Sequence, residues 1–272
     1  MVKVKTASQI EAMREGGKIL RDLFIKLKDF IKPGITTKDI DKFSHRYIIS
    51  KGGKPSCLGY EGFPASVCTS VNDVVVHGIP DNTVLEDGDI IGVDICVFYK
   101  GMHTDAARTF FVGNVSEEKQ LLVKATEDAF FEGIKHIKDG SQVGDIGHQV
   151  QMFAESKGYT VVRELQGHGV GCELHEDPGI PNFGVAGTGE FLRAGMTIAV
   201  EPMINMGSRH VVISRQDGWT VRTKDGKPSA HYENTLLITK DGVEILTLWG
   251  GYDRKETLYW TNCNIYSRAW QR

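Results

Sequence analysis

Asp94 and Asp105 flank a short turn at Tyr99-Lys100-Gly101, inside a stretch rich in β-branched residues. With Tyr99-Lys100 as a two-residue loop, the two carboxylates lie directly opposite each other. With Lys100-Gly101 as the loop, Asp105 faces Cys96, which the period-two rule of a strand points the same way as Asp94. Either register puts both acids on one face, whereas a three-residue loop would part them. Like charges with Cβ atoms roughly 5 Å apart repel and destabilise a sheet unless something cationic sits between them, and a metal ion is the natural candidate. For any two acids near one hairpin, a side chain turned to solvent is the commoner arrangement. The rest of the chain shifts that balance. Glu201 interrupts the apolar run Ile198-Ala199-Val200-Glu201-Pro202-Met203, where an unpaired carboxylate is costly. Glu233 precedes another strand-like run, Asn234-Thr235-Leu236-Leu237-Ile238, and His168 lies in Gly167-His168-Gly169-Val170-Gly171, whose glycines let backbone approach a site closely. Four carboxylates and one imidazole match a pair of divalent cations roughly 3.5 to 4 Å apart that acidify a water between them. Oxygen-rich ligation with one nitrogen suits Co, Mn, Fe(II) or Zn, and ligand softness does not choose among them.

The segments that must position these residues repeat. Ser8 can cap a helix whose apolar positions, Ile10 to Ile31, keep a three-or-four spacing until Pro33-Gly34 stops it; a shorter helix from Thr37 ends at Gly52-Gly53. Residues 66–112 then read as sheet. Ser116 starts the programme again with a long helix and a shorter one from about Gly144 to Gly158. Lys32, Gly34, Asp39, Ile40, Ser50, Lys51 and Gly52 recur 106 positions later as Lys138, Gly140, Asp145, Ile146, Ser156, Lys157 and Gly158. Leu85, Gly88, Ile91, Val93 and Asp94 recur 107 positions later as Leu192, Gly195, Ile198, Val200 and Glu201. Two copies imply two helix-helix-sheet halves sharing one core around an approximate two-fold axis, with acids from both halves meeting in the crevice between them.

Composition bounds the partners. The chain has 272 residues with 40% apolar and 25% charged, the balance of an ordinary globular protein rather than a disordered or coiled-coil one. With 32 basic against 35 acidic residues there is no global positive field for nucleic acid or anionic lipid. The five cysteines, Cys57, Cys68, Cys96, Cys172 and Cys263, form no C-x-x-C pair, which argues against a disulfide framework or a structural zinc site. No leader-like or membrane-spanning stretch is present, so a cytoplasmic location is expected.

Asp94, Asp105, His168, Glu201 and Glu233, in that order and spacing, resemble the five ligands of the type I methionine aminopeptidases. Further matches are Cys57-Leu58-Gly59-Tyr60, the run from Ser70 to Pro80, His103-Thr104-Asp105, Gly167-His168-Gly169-x-Gly171 and Asp217-Gly218-Trp219-Thr220. The resemblance implies an α+β pita-bread fold of two pseudo-symmetric halves around a curved, mainly antiparallel sheet. It covers residues 1–248 as one catalytic domain, with the repeat at about 8–113 and 117–240. Residues 249–272 match nothing in the family and read as a packed tail or a non-native extension.

The same resemblance implies that Asp105 and Glu233 bridge two divalent ions, that His168 and Glu201 complete the first and that Asp94 chelates the second. It makes Glu201 a proton shuttle, His77 a hydrogen-bond partner near the scissile amide and His175 a stabiliser of the oxyanion. Taken alone, His77 reads as a turn residue and His175 as solvent-exposed. Cys57, Tyr60, Phe63, Cys68, Leu174 and Trp219 fall where the family lines its methionine subsite, a surrounding that suits a polarizable thioether. A sodium or potassium ion on backbone oxygens near Asn72, Val74 and Ser229 is implied as well. Glu61, Cys172-Glu173-Leu174 and His231 depart from the family pattern and bear on pocket selectivity and metal preference. The implied activity is removal of the initiator methionine from nascent chains with a small second residue, by a monomer that meets its substrates near the ribosome. No membrane or sequence-specific nucleic acid is involved. Other pita-bread hydrolases are disfavoured because they bring a large additional domain or a helical insertion. The alternative from a different class is a non-enzymatic pita-bread protein that binds peptide or RNA.

Overall fold

The computed structural model describes residues 3–248, so the aromatic-rich 249–272 segment lies outside the described residues. Helix α1 (Ala7–Phe30) begins from Thr6 and not from Ser8. The Thr6 hydroxyl accepts from the Gln9 amide while the Gln9 side chain accepts from the Thr6 amide, a reciprocal cap that Ser8, already inside the first turn, cannot make. Helix α2 (Thr37–Ser50) starts from the same kind of box, between Thr36 and Asp39. Helices α3 (Glu117–Ile134) and α4 (Val143–Ser156) open the second half, and the bounds of α2 and α4 lie 106 positions apart at both ends.

The repeat extends to single hydrogen bonds. Gly34 donates to the Leu85 carbonyl at 2.8 Å and Gly140 to the Leu192 carbonyl at 2.9 Å; Leu85 and Leu192 donate back to Ile35 and Ser141. Asp39 and Asp145 accept from the equivalent amides of Thr36 and Gln142. Shared local bonding, and not only shared hydrophobicity, explains why the repeat survives in the sequence.

The first half supplies β1 (Lys54–Pro55), β2 (Cys68–Val71), β3 (Val74–Val76), β4 (Ile90–Tyr99) and β5 (Met102–Phe111). The second supplies β6 (Thr160–Val161), β7 (Gly167–Gly169), β8 (Glu176–Ile180), β9 (Thr197–Val200), β10 (Met203–Asn205), β11 (Val211–Ile213), β12 (Val221–Thr223), β13 (Ser229–His231), β14 (Glu233–Ile238) and β15 (Val243–Ile245). A nine-stranded sheet runs β1-β4-β5-β14-β9-β7-β8, with β2 added to β4 and β15 to β14. Its pairings among the described residues are antiparallel. The halves meet at β5 and β14, where Glu233 lies opposite Ala107 and Asn234 opposite Ala106. The run from Ile198 to Met203 is not one strand: β9 stops at Val200 and β10 begins at Met203, because Pro202 has no N–H to continue the ladder.

One face of this sheet is covered by helices. Ile91, Val93, Ile95 and Val97 of β4 pack with Leu20, Leu23, Phe24 and Leu27 of α1 and with Ile40 and Ile48 of α2. In the second half Ile198, Val200, Leu236 and Ile238 pack with Phe130, Ile146 and Val150. Strand alternation therefore turns the intervening residues, Asp94, Cys96 and Asp105 among them, toward the opposite face.

Phe130 is fully buried and edge-on to Tyr232 at 5.2 Å, beside Glu233. Phe130→Ala should cost about 3–5 kcal/mol. It should lower the denaturant midpoint without changing the m-value, and an unchanged midpoint would mean this contact does not support the second half.

Candidate active site

The hairpin between β4 and β5 closes at Lys100-Gly101, with Tyr99 opposite Met102. Lys100 and Gly101 both have positive φ, 49° and 84°, as a two-residue turn matched to strand twist requires. The register with Asp94 directly opposite Asp105 does not occur: Cys96 faces Asp105, and Asp94 lies between Ala107 and Cys68. Both acids nevertheless share the face away from the helices. On the second half Glu201 follows β9, Glu233 begins β14, and His168, in β7, pairs with Ala199. The glycines beside His168 are required by close packing, since a Cβ on Gly167 would strike the Ala199 carbonyl and one on Gly169 the Asp177 carbonyl. The five residues so converge.

Their geometry has one dominant feature. His168 Nδ1 lies 2.9 Å from the Gly169 carbonyl, which only accepts, so that nitrogen carries the proton and Nε2 presents a lone pair. Nε2 lies 3.5 Å from Glu201 Oε1 and 3.8 Å from Asp105 Oδ2. Acceptors thus face acceptors. Asp94 Oδ1, Glu233 Oε1 and the Nε2 of His231, which stands 3.9 Å from Glu201 Oε2, are buried without a hydrogen-bond partner. Such atoms are costly to bury unless a cation lies among them, and Asp105, His168 and Glu233 offer ligand atoms within 4.8 Å of one another. The donor set fits divalent metal ions.

Without a cation the acids respond by holding protons. Burial, reinforced by the neighbouring carboxylates, pushes Asp94, Glu201 and Glu233 well above the usual carboxylate range, and burial raises Asp105 to about 7. Burial lowers His168 and His231 to about 3. Both imidazoles are therefore neutral, as ligation needs.

A cavity of about 800 Å³ opens over this cluster. Cys57, Phe63, Cys68 and Leu174 form its buried apolar wall with Tyr60 and Trp219 half-buried at the rim, so the six residues expected to line a side-chain pocket do stand together. Cys96, Ala65 and Ile79 belong to the same cluster and were not anticipated. Cys96 had a signal, its phase with Asp94; Ala65 and Ile79 had none. His77 sits in the left-handed region, φ 58°, edge-on to Trp219. His175 stands at the mouth, its Nδ1 2.7 Å from the Tyr60 hydroxyl and its ring 4.2 Å from that of His168. Desolvation holds both His77 and His175 below their ordinary value. Exposed Glu61 lines the cavity. Asn72 and Ser229 also meet, the Ser229 amide donating to the Asn72 carbonyl at 2.9 Å, while Val74 lies opposite Arg222 and Lys119 Nζ reaches the Asn72 side chain at 2.9 Å.

Two supporting contacts left no local trace in the sequence. Lys5 Nζ pairs with Glu176 Oε2 at 2.5 Å with both side chains buried, and Glu176 Oε1 accepts from the Glu173 amide, tying down the loop that carries His175. Thr235 Oγ1 bonds both the amide and the carbonyl of Asp105, fixing the backbone of that residue.

The model of metallopeptidase family M24 matches residues 11–240. The chain is 49% identical to a methionine aminopeptidase of Clostridium perfringens over 248 residues, 91% of this chain and 99% of that one. Among solved structures, a methionine aminopeptidase from Rickettsia prowazekii superposes with a TM-score of 0.90 at 42% identity, covering 91% of this chain and all of that one. One from Thermotoga maritima gives 0.89 at 44% identity, covering 91% and 99%.

The acids set the pH dependence of the metal-free protein. Unfolded carboxylates ionise near pH 4, so the stability gained by keeping these four protonated is complete below that value and drains away as pH rises through their folded values. His168 and His231 act in the opposite sense, their contribution being complete above about 6.5 and lost as pH falls toward 3. Above about pH 6.5 the carboxylates outnumber Cys57, whose thiol is held low by its hydrogen-bond contacts with Cys68 and Cys96 and alone among these groups has the reverse slope. The Tm of chelated protein should therefore fall from about pH 6.5 to 8, and added divalent cation should raise and flatten it. A flat or rising Tm in chelator would show that the acids share no buried site.

Proposed function

The chain belongs to metallopeptidase family M24, as a type I methionine aminopeptidase, and we propose that five residues carry its hydrolysis of N-terminal methionine: Asp94, Asp105, His168, Glu201 and Glu233. In this reading two divalent cations would be held by Asp105 and Glu233 in common, the first also by His168 and Glu201 and the second also by Asp94. The observation that supports it is the bare Nε2 of His168, facing Glu201 and Asp105 at 3.5 and 3.8 Å with its ring proton turned away to the Gly169 carbonyl. Co, Mn, Fe(II) and Zn all suit these donors. The chemistry such cations supply is acidification of a water and polarisation of the scissile carbonyl.

The residues divide the remaining work. Glu201 holds the proton removed from the attacking water and passes it to the leaving amine. His175 is neutral; with Nδ1 accepting from the Tyr60 hydroxyl, its proton sits on Nε2, and that N–H donates to the oxygen on which negative charge accumulates. His77 holds the amide end of the substrate. The methionine side chain enters among Cys57, Tyr60, Phe63, Cys68, Leu174 and Trp219, where thiols and ring faces accept a thioether without needing a polar partner. A small second residue is the one this reading expects to follow. We further assign a sodium or potassium ion to backbone oxygens near Asn72, Val74 and Ser229, residues 1–248 to a single catalytic unit, and the activity to a cytoplasmic monomer acting on chains near the ribosome. No helix among the described residues is long and apolar enough to cross a membrane. The alternative of a non-enzymatic binding protein finds no support in its relatives.

A Met-Ala-Ser peptide incubated with the protein and each metal should release methionine, and chelator should abolish the release; no release under any metal would reject the assigned site. His175→Ala should lower kcat by about 10²–10³ with bound metal unchanged. Asp105→Asn should instead weaken metal binding by roughly 100-fold or more. If His175→Ala loses metal, its assigned role is wrong.

A further inference from the structure

Resting on the reading of Asp94 and Asp105 as metal ligands, we propose that Cys96 is an additional, sulfur ligand at the same cation position, making that position thiophilic and unlike the one held by His168. Cys96 lies two residues from Asp94 on β4 and directly opposite Asp105 on β5, so the hairpin turns all three side chains to one face. Its Sγ is 2.9 Å from Asp105 Oδ1. The ligand atoms of Asp94, Cys96 and Asp105 lie within 4.8 Å of one another. A cation that holds sulfur at about 2.3 Å and oxygen at about 2.1 Å keeps its ligand atoms within roughly 4.5 Å, so little movement is required. The thiol is buried, at 4% exposure, and lines the cavity, so the proton it releases on coordination can leave to solvent.

The contact with Cys57, burial and the neighbouring acids push the Cys96 thiol up, so a thiolate at this position needs a cation beside it. Cys57 Sγ lies 3.2 Å from Cys96 Sγ, so a second sulfur borders the proposed position. Asp94 Oδ1 has no hydrogen-bond partner and remains open to the same cation. Asp105 loses one thiol hydrogen bond on coordination and shares the cation in its place. Two cation positions then differ in kind. With Asp105 and Glu233 common to both, the one at Asp94 and Cys96 would add sulfur and oxygen, and the one at His168 and Glu201 nitrogen and oxygen. Softer cations such as Cd(II), Zn(II) and Co(II) should prefer the first over Mn(II).

The test is Co(II) and Cd(II) titration of the chelated full chain. Co(II) should bind with a near-ultraviolet sulfur-to-cobalt band that survives in a Cys57→Ser, Cys68→Ser double variant and vanishes in Cys96→Ser. Cys96→Ser should also weaken Cd(II) binding by about tenfold or more while leaving Mn(II) binding within about threefold. Cys96→Thr, similar in size, should behave like the serine variant, and unfolding curves of both apo-variants establish that the fold is kept. A band retained by Cys96→Ser, or absent from wild type carrying stoichiometric cobalt, would overturn the sulfur ligand while leaving the carboxylate site intact. Wild type that binds no cobalt, or Asp105→Asn that binds it normally, would overturn the underlying metal-site reading as well.

Discussion

The structure depends on a cluster of buried acceptors that the protein does not neutralise with its own cations. Among the described residues, the ion-pair partners within 4 Å of Asp94, Asp105, Glu201 and Glu233 are only the imidazoles of His168 and His231, both held neutral by burial. Left alone, the acids keep their protons. In the proposed reading a divalent pair would reverse that preference and turn mutual repulsion into shared ligation. Much of the fold exists to hold together groups that would otherwise separate.

The restraint comes from behind the sheet. Arg108 is buried on the helix face of β5, between the rings of Phe24 at 5.2 Å and Tyr232 at 4.4 Å, one from each half. Its guanidinium donates to the backbone carbonyls of Ala107, Glu233 and Thr247 and to the Asn234 side chain. It thus joins β5 to β14 at the seam where Asp105 and Glu233 emerge on the other face. Because it pairs with carbonyls and not with a carboxylate, its charge is not consumed locally and opposes the upward push on Glu233.

How much of this was legible in the sequence follows from the range of each interaction. The repeat was readable because Gly34, Asp39 and Leu85, like Gly140, Asp145 and Leu192, make bonds that depend on a few nearby positions. The shared face of Asp94 and Asp105 was readable because both candidate loops preserve the strand period; the choice between them turned on Lys100 accepting a left-handed conformation, which composition does not announce. The helix cap was misassigned because Thr6 and Ser8 are equally suitable residues, and only the position of Gln9 separates them. Lys5 with Glu176, and Arg108 with Asn234 and Thr247, join segments far apart in the chain and have no periodic signature. Cys96 was visible as a neighbour of Asp94 in phase but reads as a packing residue until Asp105 is set opposite it.

The side-chain pocket and the acid cluster are not separate designs. Cys57, Phe63, Cys68 and Leu174 form the apolar wall, and Cys96 belongs both to that wall and to the Asp105 hydrogen bond. The low polarity that suits a thioether also keeps water from solvating the carboxylates, so the same surface strengthens side-chain recognition and the hold on a cation. Enlarging or wetting the pocket would loosen both together, since hydrated acids need a metal less. In the proposed reading, selectivity for an apolar first residue and dependence on divalent metal would arise from one desolvated space, to which β4 contributes Asp94 and Cys96 on the same side.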